Sequence, residues 1–368
     1  NGFPTTSVKD LVIHPREHDL VIGTFGRAAW VLDDIRPLRA MAKNTSVMTS
    51  NIKLVNPPTA YQAAYQQPTG SRFGADAMYH GENRAGGARF AYIFNKKNQP
   101  KKQKKDDSSG KEETKVKWDS VSLKIYDGTR LIRTLKQKAP KENGLQRWTW
   151  FMDEAGGDRP SRRIRKSTRE PSGVSVKPGT YKAVLHYGDQ TSETKVTVAS
   201  DPRLNVSQKN IDEVYAASKE LQEISQTLAD ASKQLVESKG IASKYQKELK
   251  KLDKEAYKSQ IEASDSVVKS IDKLLDKYFG KVDNRQGITR NPEVTALQRL
   301  RSAGGYIYGS QTGLTSTETT LMKHAKDAVK TLISETNAFF NGQWKSYEAD
   351  MKTLQTNPFK ETKIFGID

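Results

Sequence analysis

The chain has 368 residues and a mass of 41.2 kDa, and its 61 Lys and Arg against 43 Asp and Glu give a net charge of +18 at pH 7. That length predicts two or three domains. No cysteine occurs, which excludes disulfides, thiol catalysis and thiolate zinc sites. There is no run of about 18 apolar residues, so we expect no membrane-spanning helix.

The positive charge does not select one kind of partner. Lys and Arg bind the phosphates of nucleic acids and of anionic lipids. A basic surface also serves solubility and non-specific binding, and a solvated, exported protein with such a surface is the simpler explanation of the composition. The mean hydropathy is -0.76, which predicts long solvated segments and helices with narrow apolar stripes.

The first 38 residues carry three short apolar segments at 8–13, 19–24 and 28–32, separated by turn residues. This pattern predicts three short strands joined by tight turns. A lone sheet of this size is marginal in water, so we expect a neighbour to cover it. The chain starts at Asn1 and not at Met, which we interpret as a processed chain or as part of a longer one.

Residues 8–35 read VKDLVIHPREHDLVIGTFGRAAWVLDDI. This run, with its His14-Pro15 turn and its Trp-Val-Leu-Asp-Asp end, resembles the final blade of the sortilin-like, BNR-repeat, "glycosyl hydrolase-like" β-propellers of exported bacterial proteins. The family usually has Gly-Arg-Gly at the turn, whereas Ala28 takes the place of the second Gly here. Since no similar blade follows, the resemblance implies that the other blades lie upstream of Asn1, in the same or another chain.

Residues 52–203 alternate apolar and polar side chains between Gly and Pro turns, a pattern typical of an all-β sandwich. In the clearest strand, Val121, Leu123 and Ile125 lie on one predicted face. A low-complexity, Lys-rich insertion at 96–117 interrupts it, and residues 39–51 are predicted to be a linker. The segments VSLKIYDGTRLIRTL, NGLQRWTW and VKPGTYKAVL resemble the Ig-like sandwich of the flagellar hook-capping type. That family usually places Asp or Asn after the Trp where Phe151 follows Trp150 here.

Residues 204–368 repeat apolar residues at spacings of three and four, which predicts an antiparallel helical bundle. Ser207 is the predicted first N-cap, Gly240 a break, and Gly280 the end of a second helix. Thr315 and Glu318 form a capping box that opens a last helix extending to about residue 354. The expected fold class is therefore multidomain, β then α: a partial propeller blade at 1–38, an Ig-like sandwich at 52–203 and the bundle.

No stretch carries a catalytic, cofactor-binding or metal-binding constellation, and we expect none in this chain. Of the five histidines, His14 and His18 are four residues apart, but they lie across a predicted strand turn and not on a helix, where a zinc site would use this spacing. Asp33 and Asp34 are adjacent in a strand and point to opposite faces, so they are poorly placed to act on one glycosidic bond. The simpler interpretation is that they end a strand and that their charge disfavours pairing of its edge with another strand.

Two surface features are candidate binding sites. The first is a basic patch built from two loops, with a solvated surface as the alternative reading; its members are Lys101, Lys102, Lys104, Lys105, Arg162, Arg163 and Arg165. The second is a pair of docking aromatics, Phe340 and Trp344, four residues apart on one helix, with the bundle core as the alternative.

Three functions remain open at this stage. The first is a non-catalytic structural and interaction module at the C-terminal end of an exported propeller protein, with upstream blades and a cell-envelope protein as partners. The second is an accessory part of a hydrolase whose active site lies in those blades. The third is a polyanion or membrane-surface binder acting through the basic loops, although nucleic acid is not the expected ligand because the loops lack stacking aromatics. The expected location is extracytoplasmic: periplasmic, outer-membrane-associated or secreted.

Overall fold

The structure is a computed structural model, and it describes most of the chain. The described residues are 3–63, 86–96, 118–164, 167, 169–282, 294–310 and 312–354. The chain divides into two compact units, the first formed by residues 1–155 with 168–206 and the second by 156–167 with 207–368. The first unit contains β-sheets and short helical turns, and the second is helical, so the predicted order of β then α is present.

The N-terminal sheet has three antiparallel strands in the order β1 (Val8–Ile13), β2 (Leu20–Thr24) and β3 (Ala29–Leu32). The turn between β2 and β3 places Gly26 at φ 72° and Ala28 at φ 61°. This left-handed region suits glycine and is strained for a residue with a Cβ. The sequence therefore has alanine at a position whose backbone conformation favours glycine.

The segment predicted to be a linker, 39–51, contains helical structure. A helix, α1 (Arg36–Lys43), is followed by a 3-10 turn at Thr45–Thr49. Pro37 lies in the first turn of α1, where its fixed φ suits a helix and its missing N–H is not needed. The Asn44 side chain then accepts a hydrogen bond from the Ser46 amide and starts the 3-10 turn.

The rest of the first unit contains three further sheets. Their strand orders are β5-β13-β12-β7-β8, β4-β6-β9 and β10-β11. The strands are β4 (Ile52–Leu54), β5 (Ala60–Gln62), β6 (Ala88–Phe94), β7 (Ser120–Asp127), β8 (Arg130–Lys138), β9 (Gly144–Trp150), β10 (Asp153–Ala155), β11 (Ser172–Ser175), β12 (Gly179–Tyr187) and β13 (Gln190–Ser200). The sequence pattern predicted the long strands, but it missed β5, β10 and β11, which are too short to show periodicity.

The five-stranded sheet and the β4-β6-β9 sheet share one hydrophobic core. Val121, Leu123 and Ile125 alternate inward from β7, as their spacing predicted. Phe90 meets them from β6, and Trp150 is fully buried, with its indole N–H donating to the Asp153 carbonyl over 2.8 Å. Because every second side chain of the long strands is buried, the five-stranded sheet keeps an outer face of polar side chains.

The first helix of the second unit, α2 (Gln208–Leu252), passes straight through Gly240, so the predicted break there is wrong. Ala242 and Leu249 beyond the glycine are buried in the helical core, and this packing outweighs the roughly 1 kcal/mol helix cost of one glycine. The chain turns instead after Leu252, where the Asp253 carboxylate accepts hydrogen bonds from the Glu255 and Ala256 amides.

The remaining helices are α3 (Lys258–Phe279), α4 (Ala296–Ile307), α5 (Ser316–Phe339), a π-helical turn at Phe340–Trp344, and α6 (Lys345–Lys352). The predicted capping box at Thr315 and Glu318 is present. Helices α2 and α3 are antiparallel, since Lys239 pairs with Asp272 over 2.6 Å while the later Gln246 meets the earlier Asp265. One core of Leu, Ile, Val, Ala and aromatic side chains joins the helices.

Candidate functional site

The N-terminal sheet is the least covered sheet in the described part of the first unit. Cross-strand partners share a face of a sheet, so the register shows which side chains lie together. One face carries two complete apolar rows: Leu11–Ile22–Trp30 and Ile13–Leu20–Leu32. The opposite face carries a third such row: Val12–Val21–Val31. The sheet is therefore apolar on both faces.

These rows are open to solvent. Leu11 is 59% exposed on the first face, and Val12 and Val31 are 53% and 58% exposed on the second. All residues of the two outer strands are exposed, and those of the central strand are only half-buried. Ordinary solvated sheets expose a polar face, so an apolar sheet open on both sides marks a contact surface.

Local contacts partly shield the aromatic residues of this sheet. The Trp30 ring packs edge-on against Phe3, with 5.4 Å between ring centroids, and its indole N–H donates to the Arg27 carbonyl over 2.8 Å. Phe25, in the β2–β3 turn, is 73% exposed and has the Lys9 ammonium 5.3 Å from its ring centroid. Large aromatic side chains in this setting are typical anchors of protein interfaces.

The polar residues near the sheet hold its end together. Asp19 is buried and accepts a hydrogen bond from the Asp34 amide over 2.9 Å, and the Asp34 carboxylate pairs with Arg36 at the same distance. The Nδ1 of His14 accepts from the Glu17 amide over 3.0 Å. These groups form turns and a strand end, as expected for the Asp33-Asp34 pair and for His14-Pro15.

The basic patch predicted from the two loops is only partly described. Lys101, Lys102, Lys104, Lys105 and Arg165 lie outside the described residues. Arg162 forms an ion pair with Asp276 over 2.7 Å, donates to the Gly280 carbonyl at the end of α3, and lies over the Phe279 ring. Arg163 is exposed. Arg162 is therefore engaged within the helical unit, whereas Arg163 is open to a ligand.

The two candidate docking aromatics are half-buried at the edge of the helical core. Phe340 and Trp344 have ring centroids 6.2 Å apart and both pack against that core. Trp344 also contacts the buried Tyr347, whose hydroxyl is 3.0 Å from that of Ser264 and whose pKa burial raises. A π-helical turn allows this packing because it widens the helix by one residue. The pair thus contributes to the bundle's own packing.

Buried charges in the first unit form a structural network. Arg133 is 7% exposed and lies 3.4 Å from Asp153 and 3.5 Å from Glu170, while Arg130 pairs with the buried Glu154 over 2.9 Å. These pairs join β8 to β10 and to the chain just before β11. Within the described part of the chain, no group of three or more His, Asp or Glu side chains is placed to hold a metal ion.

Comparison of the chain with protein-family models, with curated proteins and with solved structures found no match. Among the described residues, no helix is both long and apolar enough to cross a membrane. A function for this chain therefore has to be inferred from the geometry of its surfaces, of which the open apolar sheet is the most unusual.

Proposed function

We propose that the chain is a non-catalytic structural and protein-interaction module whose N-terminal sheet packs between two other β-sheets. The observation that carries this proposal is the exposure of apolar rows on both faces of β1–β3. One covering sheet would leave the opposite face open, so two covers are needed. The blades of a β-propeller supply this arrangement, since each blade packs between two neighbours.

The resemblance of residues 8–35 to a final blade of sortilin-like, BNR-repeat propellers supports the same partner. We therefore propose that the covering sheets are upstream propeller blades, in the same or another chain, of an exported bacterial protein of the cell envelope. In this proposal the other sheets of the first unit form an Ig-like sandwich, and the helical unit offers a further surface to a protein partner.

The energy available from covering the sheet is large. Full burial of one Val, Leu, Ile or aromatic side chain contributes about 1.5–3 kcal/mol, so closing a half-open one contributes about 1 kcal/mol. The outer strands contribute six exposed residues to the three apolar rows, which on this basis would together contribute about 6 kcal/mol; they are Leu11, Val12, Ile13, Trp30, Val31 and Leu32. That is close to the whole stability of a small domain.

Hydrogen exchange of the 368-residue chain, followed by mass spectrometry, tests the proposal. Amides of β1–β3 should exchange far faster than those of β7 and β12, because an uncovered three-stranded sheet opens readily. Protein isolated from its native source should show the same β1–β3 amides protected. Its light-scattering mass should also exceed 41.2 kDa, through a longer chain or a bound one.

A matched pair of variants separates association from folding. Leu11→Ser and Val31→Ser each remove apolar surface from one exposed face, and in the 368-residue chain each should change the free energy of unfolding by less than about 0.5 kcal/mol. In the native assembly either change should destabilise the complex. A native protein that is a 41.2 kDa monomer, with β1–β3 amides as protected as those of β12, would contradict the proposal.

A further inference from the structure

The outer face of the five-stranded sheet carries five lysines that the sequence did not single out. They come from four adjacent strands: Lys195 from β13, Lys182 from β12, Lys124 from β7, and Lys136 and Lys138 from β8. All except the half-buried Lys124 are exposed. Glu193 is the one acidic side chain on these rows of the face.

The strand register places these lysines on one diagonal. Lys195 lies opposite Lys182 on the neighbouring strand. On β7, Tyr126 lies opposite Lys182, and Lys124 is two residues away from Tyr126 on the same face. The row beyond it places Lys136 beside Ser122, and Lys138 continues along β8 beside Ser120. With strands about 4.8 Å apart and alternate residues about 6.7 Å apart, neighbouring lysine Cα atoms are about 5–8 Å apart, and the stripe is about 25–30 Å long.

None of these five lysines is paired with a carboxylate of the described residues, whereas several helical lysines are, such as Lys239 and Lys277. Lys182 and Lys195 are direct cross-strand partners, an arrangement that destabilises a sheet because like charges repel. A positive stripe that costs stability and has no carboxylate partner among the described residues is complementary to an extended chain of negative charges.

Other side chains beside the stripe indicate which kind of polyanion fits. Hydroxyl side chains occupy neighbouring positions on the same face: Ser120, Ser122, Thr134 and Thr191. Hydroxyls both donate and accept hydrogen bonds, as do the hydroxyls of sugars. Besides the His186 imidazole, these rows carry one aromatic ring, that of Tyr126, and the Lys182 ammonium lies 5.0 Å from its centroid. The face therefore lacks the successive stacking platforms that single-stranded nucleic acids use.

We propose that this lysine stripe binds an acidic polysaccharide, with the ammonium groups pairing with its carboxylates or sulfates. Four strands span about 14 Å and do not enter a major groove about 12 Å wide, so double-stranded DNA would be held through its phosphates alone. A flat membrane would also attract these lysines, but it offers charge over a broad area, whereas a single diagonal matches the line of charges on an extended chain. The site lies on a sheet face, and none of its lysines belongs to the predicted basic patch or to the apolar N-terminal sheet.

The test measures binding of a size-defined, fluorescently labelled heparin oligosaccharide by anisotropy at several salt concentrations. Five contacts predict a slope of log K against log salt of about −3.5, at about −0.7 for each contact of a single-stranded polyanion. The stripe variant replaces four lysines by Gln: Lys124, Lys136, Lys182 and Lys195. Each removed charge should weaken low-salt binding roughly fivefold, which gives a loss of several hundred-fold.

Two controls lose the same net charge elsewhere. One replaces the loop lysines by Gln: Lys101, Lys102, Lys104 and Lys105. The other replaces four exposed helical lysines by Gln: Lys233, Lys247, Lys323 and Lys330. Both controls should keep affinity within roughly fivefold of the original protein. An equal loss in either control, or retained affinity in the stripe variant, would overturn the proposal.

Two further measurements guard against a misfolded variant and a wrong ligand. In the unmodified protein, the His186 ring lies on the same face next to the stripe, and its NMR-measured pKa should rise when heparin binds, because nearby negative charge stabilises the imidazolium. A pKa that does not move refutes the assignment. Tighter binding of oligo(dT) or of phosphatidylserine vesicles than of heparin, lost in the stripe variant, would replace the polysaccharide by that ligand.

Discussion

Replacing Arg162 by Ala should destabilise the helical unit even though this residue belongs to a sequence-predicted basic patch. Its guanidinium lies 2.7 Å from the Asp276 carboxylate, and both side chains are about one-third exposed, so the pair contributes about 0.5–1 kcal/mol. The same group donates to the Gly280 carbonyl at the C-terminus of α3, a favourable place for a cation that contributes about 0.3–1 kcal/mol. Packing over the Phe279 ring at 5.4 Å adds about 0.5–1 kcal/mol.

The expected total is a loss of about 2 kcal/mol in the free energy of unfolding. Urea denaturation followed by circular dichroism at 222 nm measures it, because the second unit contains the long helices. Arg163→Ala is the matched control: this neighbour is exposed and should change stability by less than about 0.5 kcal/mol. Equal, small effects of both substitutions would refute the structural role assigned to Arg162.

Three further results are expected. Ala28→Gly should stabilise the β2–β3 turn by about 0.5–1 kcal/mol, because φ 61° strains alanine. Hydrogen exchange of the flanking amides should therefore be slower in the variant, and faster exchange would count against the prediction. Lys124→Gln should raise the pKa of His186, which burial and then Lys124 hold below its ordinary value; an NMR titration measures this, and an unchanged pKa would contradict it. Hydrogen bonds from Arg203 lower the pKa of Asp201 to about 2. The stabilising contribution of the ionised carboxylate should therefore be full above pH 4 and be lost as the pH falls through 2. If the urea midpoint fell by the same amount over this pH range in the original protein and in Asp201→Asn, the result would disagree.

Local patterns in the sequence determined much of the architecture. Alternation at Val121, Leu123 and Ile125 predicted both β7 and its buried face, and the Thr315–Glu318 capping box predicted where α5 begins. These signals succeed because they depend on residues within one strand or one helical turn. The apolar character of the N-terminal strands likewise predicted that β1–β3 needs a cover.

Other features depend on residues far apart in the chain, and only the tertiary structure decided them. Gly240 stays helical because Ala242 and Leu249 beyond it are buried by neighbouring helices, a contribution that local propensity does not contain. The lysine stripe exists only because strand register aligns Lys124 with lysines up to 71 residues later in the sequence, such as Lys195. Sequence alone determined which residues face outward on each strand, and pairing between strands determined which of those outward residues became neighbours.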